Sequence, residues 1–272
     1  MSERFEWVPD VTRGEWLRPM EAEPFTSILS VVPRGFEAYA RVFHPVERDR
    51  PRDTNTWHGV DVTTHFDGVD DIRASLETQR VTWAEVAASF GTTRHGEAQF
   101  ARLARREYGN VNGTVDAEGW RYSDAPEGCL DSASLAAAAA VLARHTTTPD
   151  AGIAAIWEGW GGRMAAGPRL DLLGDTGRHY ILFEAGANDF ADAAWPDRAP
   201  WVDEDMGAQS PSILWPDDHS WVLATEIDFD STLVAGTAAL IRELVLTPSL
   251  EVLPIHIGAD LTWDGDGLNR NY

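Results

Sequence analysis

The 272-residue chain has no lysine: all 22 of its basic residues are arginine, against 44 acidic ones, for a formal charge of −22 at pH 7. That absence closes whole reaction classes. A P-loop needs a Lys on the terminal phosphates, and a protein-kinase site needs one to hold the nucleotide. Pyridoxal-phosphate enzymes and Schiff-base aldolases need a side-chain amine as nucleophile. Ser–Lys hydrolases need it as base. Cysteine is nearly absent too. Cys129 stands alone, so no intrachain disulfide and no multi-cysteine zinc or iron–sulfur site can form. Long apolar runs are missing as well. The longest covers residues 135–143, nine residues and mostly alanine, too short to span a bilayer.

Familiar motifs are also lacking. There is no G-x-S-x-G, no H-E-x-x-H and no G-x-G-x-x-G. Gly159-Trp-Gly161-Gly162-Arg-Met164 begins like the last of these but has Met in place of the third glycine. The opening residues have no basic segment followed by an apolar stretch, so no signal peptide is expected. These absences together point to the cytoplasm.

What is present is negative charge. A surface this acidic repels phosphate backbones and anionic membranes, so neither nucleic acid nor membrane is an expected partner. A basic protein, a cation or a neutral small molecule is compatible. Net charge also keeps a protein soluble without any further role. Arginine without lysine has two readings: codon use in a GC-rich genome, or adaptation to high salt.

The pattern along the chain predicts an α+β fold, a mixed, mainly antiparallel sheet with helices packed on it, in one domain over residues 1–272 with a loose segment at 1–26. Residues 26–32 and 36–44 read as a hairpin around Pro33-Arg34-Gly35. Residues 45–80 read as a polar connection. Thr82 with Glu85 has capping-box spacing at the start of a helix to Phe90. A second helix is expected over 97–108 and a loop over 109–130. Asp131 or Ser132 caps a helix running to about His145, with Leu135, Ala138, Ala139 and Leu142 on one face. Strands follow at 153–157, 179–184 and 213–215. Residues 221–229 alternate as a strand, and Leu233, Thr237, Leu240 and Leu244 then switch to the helical period. A short strand is expected at 250–253 and a polar tail at 258–272.

Two constellations carry candidate chemistry. On an extended strand Glu226, Asp228 and Asp230 share one face, each about 7 Å from the next. Such a column suits a divalent cation, with Asp217 or Asp218 completing the shell. From Ala199 to Ile241 there are eight acids and no arginine, which sharpens the local negative field. The same alternation is what a half-solvated strand looks like, and Asp230-Ser231-Thr232 is equally a helix N-cap. In the second constellation, Trp157 and Trp160 flank Glu158, and Trp215 and Trp221 flank an Asp-Asp-His turn. Trp beside carboxylates can stack on a sugar, a base or a cation; it can equally fill a core and its rim. His58, Asp61, His65, Cys129 and Asp264-Gly-Asp266-Gly read as loop residues.

Several stretches resemble a family of uncharacterised proteins from high-GC Gram-positive bacteria, the actinobacteria. They are Val31-Val-Pro-Arg-Gly-Phe-Glu-Ala-Tyr-Ala-Arg-Val-Phe-His-Pro45, His145-Thr-Thr-Thr-Pro149, Trp157-Glu-Gly-Trp-Gly161, Trp215-Pro-Asp-Asp218, Trp221, Ala224-Thr-Glu-Ile-Asp-Phe-Asp-Ser-Thr232 and the region of Leu268-Asn269. The resemblance implies an actinobacterial cytoplasmic protein and brings no activity, cofactor or site. The leading expectation is a non-enzymatic binding or interaction protein whose acidic face meets a basic partner, as toxin-neutralising immunity proteins do; that comparison is by analogy alone. The alternative is a metal-dependent hydrolase or transferase using Glu226, Asp228 and Asp230 beside a Trp-lined pocket.

Overall fold

The computed structural model of the protein describes residues 5–24, 26–61, 65–66, 71–107, 113–160, 167–172, 178–203 and 207–270. Residues 161–164 of the glycine-rich pattern, Tyr108 and the acids at 204 and 205 lie outside the described residues. The chain forms two compact units. The major unit is Met1–His44 with Glu127–Asp260, and the minor unit is Pro45–Pro126 with Leu261–Tyr272.

The major unit is built on a nine-stranded sheet. Numbered along the chain, its strands are β1 (Trp7–Val8), β2 (Ala38–Phe43), β7 (Gly152–Trp157), β8 (Leu170–Leu172), β9 (Arg178–Glu184), β12 (Ile213–Pro216), β13 (Val222–Ala224), β14 (Ser231–Gly236) and β15 (Val252–Ile255). The order is β1-β9-β7-β12-β13-β14-β2-β15, with β8 also on β9. Every described pairing is antiparallel. Separately, β10 (Val202–Asp203) pairs antiparallel with β11 (Gly207–Ala208).

Both faces of this sheet are covered, so its central strands are apolar on both sides rather than alternating. One face presents Val42, Ala154, Ile156, Ile181, Leu214, Leu223 and Val234 to Leu135, Ala139, Leu142, Leu240 and Leu244. Those last five come from α3 (Ser132–Leu142) and α5 (Ala238–Val245). On the opposite face Met20, Ser30 and Val31 meet Tyr180, Ile213 and Ala224 around a small cavity. Asp131 caps α3 by accepting from the Ser134 amide at 3.1 Å. The short α4 (Ala187–Phe190) packs against α3.

The minor unit has a four-stranded antiparallel sheet, ordered β4-β3-β6-β5. Its strands are β3 (Val46–Pro51), β4 (Leu76–Val81), β5 (Thr114–Val115) and β6 (Arg121–Tyr122). Two helices accompany it, α1 (Trp83–Phe90) and α2 (Phe100–Leu103). The capping box of α1 forms as expected between Thr82 and Glu85. The architecture is α+β, with antiparallel sheets and helices packed on the larger one. Among the described residues no helix is long and apolar enough to cross a membrane.

Several expectations are corrected. Residues 26–32 form no strand: Ile28–Ser30 is a 3₁₀ turn capped by Ser27, and β2 pairs instead with β14 and β15. The connection at 45–80 and the loop at 109–130 hide the four strands of the minor unit. Their charged residues escape the alternation rule because the polar groups satisfy each other across the sheet. Arg121 donates twice to Asp49, at 2.9 and 2.8 Å, and its guanidinium lies 3.8 Å from the Trp57 ring centre. Arg48 and Arg50 stack on Trp120 at 4.5 and 4.0 Å. The second helix shrinks to α2 because Arg105 turns left-handed at φ 49°, and the Arg106 amide closes back onto the Ala101 carbonyl at 2.7 Å. The polar tail is structural: Asp266 is fully buried.

The stretch 221–245 is the most instructive correction. The strand ends at Ala224, and Glu226 to Phe229 form a turn closed by the Phe229 amide on the Glu226 carbonyl at 3.0 Å. Ser231–Gly236 is then a buried strand, not the start of a helix. Helix α5 begins only after Thr237, whose hydroxyl accepts from the Leu240 amide at 3.2 Å. Leu233 shares helical spacing with Leu240 by coincidence of a strand running straight into a helix. Asp230-Ser231-Thr232 therefore caps no helix.

Candidate functional site

The three candidate metal ligands sit on the Glu226 to Phe229 turn and the entry to β14, not on one strand face. Their neighbours come from strands distant in sequence. Arg178, the first residue of β9, donates from Nε to Glu226 Oε1 at 2.7 Å and from a terminal nitrogen to Asp228 Oδ2 at 3.0 Å. The Glu226 side chain is only 6% exposed and that of Arg178 15%, whereas Asp228 is 66% exposed. Glu226 also accepts from the Asp228 amide at 2.7 Å, which shapes the turn. Asp230 accepts from Arg41 at 2.9 Å.

Arg41 lies in the middle of β2 with its side chain 1% exposed. Strand alternation turns it away from the α3/α5 face, and there it finds Ser231 Oγ at 2.7 Å as well as Asp230. Buried His44 and Thr225 both meet the Thr232 hydroxyl, at 2.9 and 2.7 Å. Glu127 completes the acidic group. Partial burial of its carboxyl, and then the charges of Asp230 and Asp228, push its pKa up. Three carboxylates thus pair with two guanidinium groups, and Glu127 feels the charges of Asp230 and Asp228.

The tryptophans divide. Trp157 and Trp160 join this rim, packed edge to face at 5.5 Å between ring centres. The Arg178 guanidinium stands 5.8 Å from the Trp157 ring centre. Trp160 reaches the turn because residue 128 is glycine: a Cβ there would lie 2.7 Å from the Trp160 ring and 2.6 Å from the Ile227 carbonyl. Gly128 also holds φ 71° and donates to the Phe229 carbonyl at 2.8 Å. Trp215 and Trp221, in contrast, are core residues, 1% and 0% exposed. Trp221 donates to the Leu142 carbonyl at 3.1 Å, tying β13 to α3.

Asp217 and Asp218 do not complete a shell with Glu226. Asp217 pairs with Arg13. Asp218 accepts from the Thr147 amide and hydroxyl at 2.6 and 2.7 Å. Burial works against its ionisation, but these bonds, with those from Ser220 and Thr146, hold the carboxyl well below its ordinary range. Among the described residues no group of three or more His, Cys, Asp or Glu is placed to hold a metal ion.

Behind the rim lies a cavity of about 20 Å³, the size of one water molecule, lined by Tyr180, Glu226, Thr225, Ser212 and Ser30 among others. Burial, and then the charge of Glu226, push the Tyr180 phenol far up, so it faces the cavity as a neutral hydroxyl. Arg178, Arg41, Glu127 and Tyr180 escape sequence reasoning, because nothing local marks them. Only strand parity links Arg178 to Tyr180, and only the register pairs Tyr180 with Trp157. The chain matches no protein-family model, no curated protein and no solved structure.

The arrangement is a carboxylate cage already closed on the chain's own arginines, with Asp228 and Glu127 left at its open edge. It holds cations by charge and by ring faces. Its hydroxyl–imidazole contact, Thr232 with His44, is fully buried.

Proposed function

We propose that the protein is a non-enzymatic binding protein whose major unit recognises a basic protein partner through its acidic surface. The observation that carries this reading is the distribution of charge between the two units. The major unit has 28 acidic residues against 11 arginines, a balance of −17. The minor unit has 16 against 11, a balance of −5. A field concentrated in this way speeds encounter with a cationic partner and repels anionic ones. The rim adds a local reason: carboxylates beside Trp157 already accept one guanidinium, that of Arg178. Nucleic acid and anionic membrane are disfavoured by the same field. The immunity-protein comparison remains an analogy of charge, not of fold.

The metal-dependent alternative draws less support, since Arg178 and Arg41 neutralise the carboxylates that would bind the ion.

The test is binding of an arginine-rich peptide, with a glutamate-rich peptide of equal length as control, measured across a salt series. The cationic peptide should bind, with affinity falling steadily as salt rises and with on-rate more than off-rate affected. Glu127→Gln/Asp228→Asn should slow association several-fold. Equal binding of both peptides, or affinity indifferent to salt, would sink the proposal.

A further inference from the structure

The minor unit carries a feature opposite in sign to the rest of the molecule. A cleft of about 450 Å³ opens between the end of α1 and the C-terminal segment, lined by Gly91, Thr93, Arg105, Leu268, Asn269 and Arg270 among others. That volume falls within the range of small-molecule sites. The described lining holds two arginines and no aspartate or glutamate, in a chain where acids outnumber arginines two to one.

Neither arginine is ion-paired among the described residues. Arg105 donates from Nε to the Phe90 carbonyl at 2.7 Å and from a terminal nitrogen to the Gly91 carbonyl at 3.4 Å. Arg270 donates to the Asp264 carbonyl at 2.6 Å. A guanidinium has five N–H groups, so each keeps donors free while its position is set. Most described arginines elsewhere meet a carboxylate, as Arg13, Arg34, Arg121, Arg144, Arg169 and Arg178 do.

The cleft is built rather than loose. The Asn269 amide clamps the Thr93 backbone from both sides: Oδ1 accepts from the Thr93 amide at 2.9 Å, and Nδ2 donates to its carbonyl at 2.9 Å. Asn269 is itself fixed by Asp266. The charge of Asp266 stays behind the wall, spread over donors from Gln99 and Asn269 and its contact with His95. Arg105 holds a left-handed backbone, φ 49°, which costs an L-residue about 1–2 kcal/mol; this conformation brings the side chain back over the end of α1. Thr93 is exposed, and its hydroxyl bonds no described residue.

We infer that this cleft binds a small organic molecule through an oxyanion group, a phosphate or carboxylate, held between Arg105 and Arg270. Arginine forks match both groups. The negative field of the chain opposes anions in general, so binding here would rest on the two arginines themselves. This site is independent of the acidic surface of the major unit, and either reading can fail alone.

The test is two-dimensional amide NMR of the full chain in low-salt buffer, titrated separately with inorganic phosphate and with succinate, against sodium chloride at matched ionic strength. Saturable shifts centred on Gly91, Thr92 and Thr93 are expected with at least one of the two anions. Which anion saturates first identifies the group. Arg270→Gln should weaken that binding by about ten-fold or more, the loss of a charge-assisted contact. Thr93→Asp, which breaks no described side-chain bond and places a carboxylate in the cleft, should abolish it while leaving the rest of the spectrum in place. No saturable shift with either anion, or shifts equal to those of chloride, would overturn the inference. So would unchanged affinity in both variants.

Discussion

Replacing Arg178 with Gln tests whether the carboxylate cage is part of the folded structure or a solvated surface. Two contacts go at once. The one to Asp228 is an exposed arm and contributes at most about 1 kcal/mol. The one to Glu226 is different, because that carboxylate is 6% exposed and would keep only the Asp228 amide as partner. Breaking a buried pair on one side costs about 3–5 kcal/mol. The 15% exposure of Arg178 and the surviving amide bond reduce this to about 2–4 kcal/mol. For a chain of this size that lowers Tm by roughly 5–15 °C. Differential scanning calorimetry on the wild type, Arg178→Gln, Glu226→Gln and the double variant gives the answer. The double variant should recover at least about 1 kcal/mol relative to additivity. A loss below about 1 kcal/mol in Arg178→Gln, with additive effects, would mean the pair behaves as an ordinary surface contact.

Three further outcomes are expected. Burial raises the Asp266 carboxyl, but bonds from the Gln99 amide, Asn269 and His95 outweigh it and leave the pKa lowered. Its stabilisation is therefore complete above the unfolded value near 4 and is lost as pH falls through the folded one. In an acid titration followed by circular dichroism, Asp266→Asn should lose stability less steeply below about pH 4 than the wild type, and an unchanged slope would refute this. Gly128→Ala forces a side chain at φ 71° against the Ile227 carbonyl and should cost about 2–4 kcal/mol in a urea titration. Mg²⁺, Mn²⁺, Ca²⁺ and Zn²⁺ should each leave Tm unchanged within about 1 °C. A saturable rise that disappears in Glu226→Ala/Asp228→Ala would reinstate the metal reading.

Local signals read well where the physics is local. The capping box at Thr82 and Glu85, the Asp131 cap and apolar face of α3, and the short apolar strands β7, β9 and β12 depend on neighbours within a few residues. The charged strands β3 and β4 were illegible, because what makes them strands is Asp49 meeting Arg121 and Arg50 meeting Glu77 across the sheet. The run from 221 to 245 misleads for another reason: a buried strand followed at once by an amphipathic helix presents leucines at spacings that satisfy the helical period by accident. Trp215 and Trp221 sit beside acids in sequence, yet alternation and the turn between them send both rings into the core.

By itself, the sequence determined what chemistry is unavailable. No fold can supply the amine that a lysine-free chain lacks, or a second thiol. It also determined that eight acids between Ala199 and Ile241 have no arginine among them. Only tertiary structure decided what that stretch means. Arg41 and Arg178 arrive from strands far away in sequence and bind Asp230, Glu226 and Asp228, because antiparallel pairing brings distant residues within hydrogen-bond reach. The same process, at the other pole of charge, left Arg105 and Arg270 facing a common cleft with no carboxylate in its described lining. Composition is additive along the chain, whereas ion pairing depends on distances that exist only after folding.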